Sequence, residues 1–173
     1  MRKGGGKAKG SAFEREICGK LSLWVSHGKQ EDVFWRSAMS GGRSTVAHRK
    51  GKNLASHAGD ISCTHSIGEP LTNRFFIECK AYADLNFAGL LTGKGHLVEF
   101  WKIATREATN YNKLPFLIAK QNRMPTVICL SLEGMLILML GPQSTIMTVP
   151  KLDMYILDAE EFFKVPANVP NNR

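Results

Sequence analysis

Among the 173 residues there are only four cysteines, Cys18, Cys63, Cys79 and Cys129, and each stands alone. No C-x-x-C pair and no nearby His pair at zinc spacing accompanies them, which makes a structural zinc protein the remotest reading. They read instead as buried thiols in a reducing compartment. Residues 1–9 do not resemble a secretory leader, being basic and glycine-rich without an apolar stretch. The longest apolar run, residues 126–140, is interrupted by Ser131, Glu133 and Gly134 and is too short and broken to span a bilayer. Internal repeats are absent. These absences lead to the expectation of a soluble cytoplasmic or nucleoid-associated protein with no membrane partner.

Acids are missing from two particular places. The chain carries 23 Lys+Arg against 15 Asp+Glu, a formal charge of +8. Arg2, Lys3, Lys7 and Lys9 precede residue 10 with no acid among them. Arg43, Arg49, Lys50 and Lys52 form a second acid-free cluster. Without these eight residues the remaining chain is balanced, so the whole excess sits in two glycine-containing segments. One such cluster is most simply a solvated tail or loop. Two of them in one chain favour nucleic acid, where each neutralised phosphate releases counterions.

In other respects the composition, 43% apolar and 22% charged, is that of an ordinary globular chain of one domain. The periodicity predicts a flexible basic arm over 1–10 and a single domain over 11–165. A basic loop interrupts that domain at about 40–59, and the C-terminus is expected to fray over 166–173. A helix is expected from Ser11, with Phe13, Ile17, Leu21, Trp24 and Val25 on one stripe and Gly28 at its end. Strands are expected at 33–37, 60–64, 74–81, 116–119 and 126–130, with a turn at 68–73. A second helix runs through Leu97, Phe100, Trp101, Ala104, Ala108 and Tyr111, ended with the help of Pro115. Residues 135–140 are expected to pair as a strand with 126–130, and Asp158 with Glu161 marks a short terminal helix. Residues 82–96 are ambiguous. The order implies an α/β fold, a mixed β-sheet flanked by α-helices on both sides.

The candidate chemistry lies in GDISCTHSIGEPLTNRFFIECKAY, residues 59–82. Alternation in a strand puts Glu78 and Lys80 on one face and Phe75, Ile77, Cys79 and Ala81 on the other. A neighbouring strand carrying Asp60 would bring two carboxylates and an ammonium together, a set suited to a hard cation and phosphodiester chemistry. Each residue also has a plainer reading: Asp60 as a turn aspartate, Glu78 as a paired or solvent-facing acid, Lys80 as a snorkelling lysine. Helical phase separates two further acids. Glu14 shares a stripe with Cys18, Leu21 and Val25, whereas Glu16 forms an exposed i,i+4 pair with Lys20. For Glu14 a capping box with Ser11 is a direct competitor.

KGSAFEREI at 9–17, WRSAMSG at 35–41, GDI at 59–61, IECK at 77–80, VEFWKIA at 98–104 and FLIAK at 116–120 occur in order. Together, over roughly residues 9–130, they resemble the archaeal-type Holliday junction resolvase branch of the PD-(D/E)xK nuclease superfamily. The resemblance implies a restriction-endonuclease-like core and a homodimer that cuts four-way DNA junctions to 5′-phosphate and 3′-hydroxyl ends. It implies Mg²⁺, or Mn²⁺ in its place, held by Asp60, Glu78 and the main-chain carbonyl of Cys79, with Lys80 as catalytic lysine and Glu14 as the acid of the first helix. Arg15, Arg36 and Lys120 match basic positions serving DNA or activity, and Ser37 or Ser40 a loop serine near the site. The segment between Ser40 and Asp60 is longer than the family pattern, and residues after about 140 have no counterpart in it. Two alternatives stand beside this reading: a restriction-like or repair nuclease acting on duplex, flap or single-stranded DNA, and a non-catalytic basic nucleic-acid-binding protein. The helix with Phe100 and Trp101 or residues 135–140 could supply the homodimer interface, although most of these residues read more simply as monomer core.

Overall fold

The computed structural model describes residues 5–37, 59–141 and 145–169, with the side chains of 5–8 excepted. The described residues form seven strands, β1 (Phe34–Arg36), β2 (Ile61–Cys63), β3 (Phe75–Tyr82), β4 (Leu114–Gln121), β5 (Thr126–Leu130), β6 (Thr145–Val149) and β7 (Met154–Asp158). The helices are α1 (Gly5–Val25), α2 (Glu69–Arg74), α3 (His96–Asn110), α4 (Leu132–Ile137) and α5 (Ala159–Lys164). The main sheet runs β3-β4-β5-β7-β6. Only β3 and β4 are parallel, and α3 makes the crossover that a parallel pair needs. The ribbon β1-β2 joins this sheet through a parallel bridge between Gly59 and Ile77. The mixed sheet with helices on both faces is the architecture expected from the sequence.

The faces follow from strand alternation. Phe75, Ile77 and Cys79 of β3 and Phe116 and Ile118 of β4 pack with Phe13, Ile17, Leu21 and Trp24 of α1. Leu117 and Ala119 of β4 turn to the other face and meet Leu97, Val98, Trp101 and Ala104 of α3. Phe162 of α5 closes the α1 side, its ring 4.8 Å from that of Trp24 and 5.7 Å from that of Phe116.

Several elements differ from the sequence expectation. α1 begins at Gly5, six residues ahead of Ser11, since Lys7, Ala8 and Lys9 are good helix formers and extend it toward the N-terminus. The turn expected at 68–73 is the short helix α2, favoured by Pro70 in its first turn. Pro115 does not stop α3: Asn112, at φ 54°, ends it in a left-handed cap, with Lys113 N–H on the Ala108 carbonyl at 2.9 Å. Pro115 lies inside β4, opposite Phe76.

Residues 135–140 do not form a strand. Ser131 N-caps α4, its hydroxyl accepting from the Gly134 amide at 3.1 Å, and β5 pairs with β7 instead. Asp158 caps α5 as expected, accepting from the amides of Glu160 and Glu161, whereas Glu161 pairs with Lys164 rather than closing the box. β6 and β7 were not anticipated. Ala167 and Val169, in the segment expected to fray, pack against the α1-side core. Cys63 is only half-buried, unlike the other three thiols.

Gly59 marks a close approach of the chain, at φ +88° with its α-carbon pressed against β3. A Cβ at this position would fall 2.5 Å from the Ile77 carbonyl oxygen, and the backbone angle already disfavours an L side chain. Gly59→Ala is expected to lower stability by at least about 2 kcal/mol in urea denaturation. A change within about 0.5 kcal/mol would show that the β2–β3 junction is not constrained in this way.

Candidate active site

The Gly59–Ile77 bridge fixes the first acid. Asp60 donates its amide to the Ile77 carbonyl at 2.8 Å and accepts at its own carbonyl from the Ser37 amide at 2.8 Å. With its backbone held on both sides, its carboxylate turns onto β3, where Oδ2 accepts from the Cys79 amide at 2.9 Å. Asp60 is 6% exposed.

Glu78 and Lys80 sit on the face of β3 opposite Ile77 and Cys79, as alternation requires. They are ion-paired to each other through Oε1 and Nζ, with side chains 16% and 31% exposed. Lys80 Nζ also lies 5.9 Å from the centroid of the Phe100 ring on α3.

Ser11 is interior to α1, so the capping box that competed for Glu14 cannot form. Glu14, 14% exposed, is bonded to Arg36 of β1 through Oε2 and Nε. Glu16 points outward to Lys20 at 3.0 Å and to Lys120 of β4 at 3.5 Å. Burial pulls its pKa upward, but these two ammonium groups outweigh it and hold the acid below its ordinary value. Lys120 also lies 5.7 Å from the centre of the Phe13 ring.

Burial raises the Asp60 pKa to about 7, and the Glu78 charge pushes in the same direction. The Cys79 amide and Lys80 pull back without overcoming them. For Lys80 burial favours the neutral amine, yet Glu78 and then Asp60 prevail and the pKa is raised, so the unliganded site holds an ammonium. The nearby thiols are inert. Burial, with the Glu14 charge next, pushes Cys18 up to about 12, and burial followed by the Asp60 charge holds the Cys79 thiol well above its ordinary value.

The structure thus gathers Asp60, Glu78, Lys80 and Glu14 beside β3, where Glu78, Lys80 and Glu14 act on the charge of Asp60. The remaining expected residues lie outside this group of four. Ser37 is 2% exposed and serves the Asp60 backbone. Arg15 and Lys9 are exposed on α1, and Lys7 lies in its first turns. Arg2, Lys3, Ser40, Arg43, Arg49, Lys50 and Lys52 lie outside the described residues. Sequence reasoning missed the tie from Arg36 to Glu14 and the aromatic side chains around Lys80. The signal available for the latter was Tyr82, which continues the alternation of Glu78 and Lys80.

A buried acid with a raised pKa favours folding while protonated. That contribution is complete below the unfolded value near pH 4 and is lost as pH climbs through about 7. Asp60→Asn keeps an acceptor for the Cys79 amide and removes the charge. In metal-free buffer it is expected to stabilise the protein by about 1–3 kcal/mol at pH 8, the gain shrinking toward pH 4. Denaturant melts of both proteins across this range check it; an Asn variant less stable than wild type at pH 8 would contradict the account.

The model of the family described as "Phage putative PDDEXK endonuclease" matches residues 5–166. No curated protein and no solved structure matches the chain. The match runs from the first turn of α1 to the end of α5 and so takes in every element that builds the site. The chain belongs to this phage PDDEXK endonuclease family.

Proposed function

We propose that the protein is a Mg²⁺-dependent endodeoxyribonuclease with Asp60, Glu78 and Lys80 as its reacting groups. The observation that carries this reading is Asp60, a buried carboxylate with a second carboxylate beside it and the Cys79 amide bonded to its Oδ2. Among the described residues no cluster of three or more His, Cys, Asp or Glu side chains is arranged to hold a metal. The donor set of two carboxylates and the Cys79 carbonyl nonetheless fits Mg²⁺, which keeps most of its waters and uses one or two protein carboxylates. Mn²⁺ would be tolerated by the same donors. Such a cation polarises a phosphate oxygen and makes water a better nucleophile at neutral pH.

The chain's own groups would do the rest. Asp60 and Glu78 would hold the cation. Lys80, released from Glu78, orients the attacking water and offsets the charge that builds on the phosphorane. Glu14 accepts a hydrogen bond from that water, with Arg36 fixing its side chain. The products are a 5′-phosphate and a 3′-hydroxyl.

The finer reading is cleavage of four-way DNA junctions by a homodimer. It rests on the ordered motifs from residue 9 to residue 120 and on symmetry, since a two-fold junction needs two cuts. Of the surfaces expected for the dimer, Trp101 is unsuitable, being 2% exposed with its indole on the Leu152 carbonyl at 2.9 Å. Exposed Leu132 and Leu136 of α4, with Met139 beyond it, remain available among the described residues.

A cleavage panel tests both levels. With Mg²⁺ and a four-way junction, flap, duplex and single strand of shared sequence, the wild type is expected to cut, fastest on the junction. EDTA abolishes cutting, and Glu78→Ala reduces it about 100-fold or more while DNA binding persists. Wild-type failure on every substrate would overturn the nuclease reading, and equal rates on junction and duplex would remove the junction preference. Cutting that survives in Glu78→Ala would move the site elsewhere.

A further inference from the structure

Beyond Lys80 the same face of β3 continues into an aromatic cluster that the cleavage chemistry does not use. Tyr82 stands two residues on, which along a strand is about 7 Å. Its ring centroid lies 4.8 Å from that of His96 and 5.4 Å from that of Phe100, and the His96 and Phe100 rings are stacked at 6.1 Å. Phe100 also receives Lys80 Nζ over its ring, so the cluster abuts the reacting lysine directly. Three rings packed this closely would ordinarily close a core. Here Phe100 leans on the α3-side core, whereas Tyr82 is 44% exposed and His96 is exposed. Tyr82 and His96 therefore remain open to solvent at the edge of the candidate site.

From this geometry we infer that Tyr82, His96 and Phe100 form a stacking platform for an unpaired nucleobase of the strand whose phosphate lies at Lys80. The inference rests on the nuclease reading above and deepens it by naming a feature of the substrate. Aromatic faces bind bases without regard to sequence, but only bases that have left the duplex stack, because a paired base has both faces covered. The platform begins one side chain from the ammonium, within a nucleotide's reach of the phosphate. Fully paired DNA presents no free base face there. DNA with an unstacked base beside the scissile phosphate, as at a fork, a flap or an open junction centre, does.

The test uses the full chain carrying Glu78→Ala, in which binding is separated from cleavage, and oligonucleotides with 2-aminopurine next to the phosphate cut by the wild type. A single strand and a forked duplex are compared with a fully paired duplex. Stacking is expected to quench the 2-aminopurine of the single strand and the fork. Adding Tyr82→Ala with His96→Ala weakens binding to those two by about 10- to 100-fold and abolishes the quench, with little change on paired duplex. Tyr82→Phe retains the ring and retains both signals, which guards against a folding defect in the double variant. Loss of affinity that is equal for paired and unpaired DNA, or no loss at all, overturns the platform. Should the wild type cut none of the DNA forms, a probe placed at the fork point still reads the platform, so quenching there without cleavage would separate a failed nuclease reading from a failed platform.

Discussion

The amide of Cys79 bonded to the carboxylate of Asp60 is the interaction on which the remainder of the site depends. It can form only because Gly59 lets the chain press against Ile77, which fixes the start of β2 beside the middle of β3. That approach puts an acid from one strand beside an acid and a lysine from the next. It also removes the acid from water. The raised pKa of Asp60 expresses the cost.

The surrounding charges are neutralised within the chain. Glu14 meets Arg36, Glu16 meets Lys20 and Lys120, and Glu78 meets Lys80, whereas Asp60 is in no ion pair among the described residues. A cation that drew in both Asp60 and Glu78 would end this mismatch and free Lys80 at the same time. The stability cost of Asp60 and its proposed use are thus two aspects of one arrangement, as is common where function requires local strain in charge balance. Lys80 then has two neighbours of opposite character, the carboxylates on its strand and the Phe100 ring on α3.

What the sequence disclosed about this site was local. A period of two paired Glu78 with Lys80, and helical phase turned Glu14 inward and Glu16 toward Lys20. The ties that complete the site span long separations: Asp60 to Cys79 across 19 residues, Glu14 to Arg36 across 22 and Glu16 to Lys120 across 104. No periodicity encodes such contacts, since they depend on which strands become neighbours. The errors have similar causes. Residues 135–140 are as apolar as a strand, but the hydroxyl of Ser131 nucleates a helix there, and β5 takes β7 as partner from far along the chain. Pro115 looked like a helix stop because the left-handed cap at Asn112 leaves no strong signature. The nuclease class was legible from ordered motifs, and the family match carries it through the C-terminal strands that those motifs did not reach.

The most direct test of a charge-mismatched site awaiting a cation is thermal denaturation at pH 8 without DNA, with and without Mg²⁺, for wild type and Asp60→Asn. A ligand that binds only the folded state stabilises it by about 2.7 kcal/mol at 100 times its Kd. The account predicts a rise in wild-type Tm that increases with Mg²⁺ concentration and is absent from the Asn variant. An equal rise in both proteins, or none in the wild type, would contradict it.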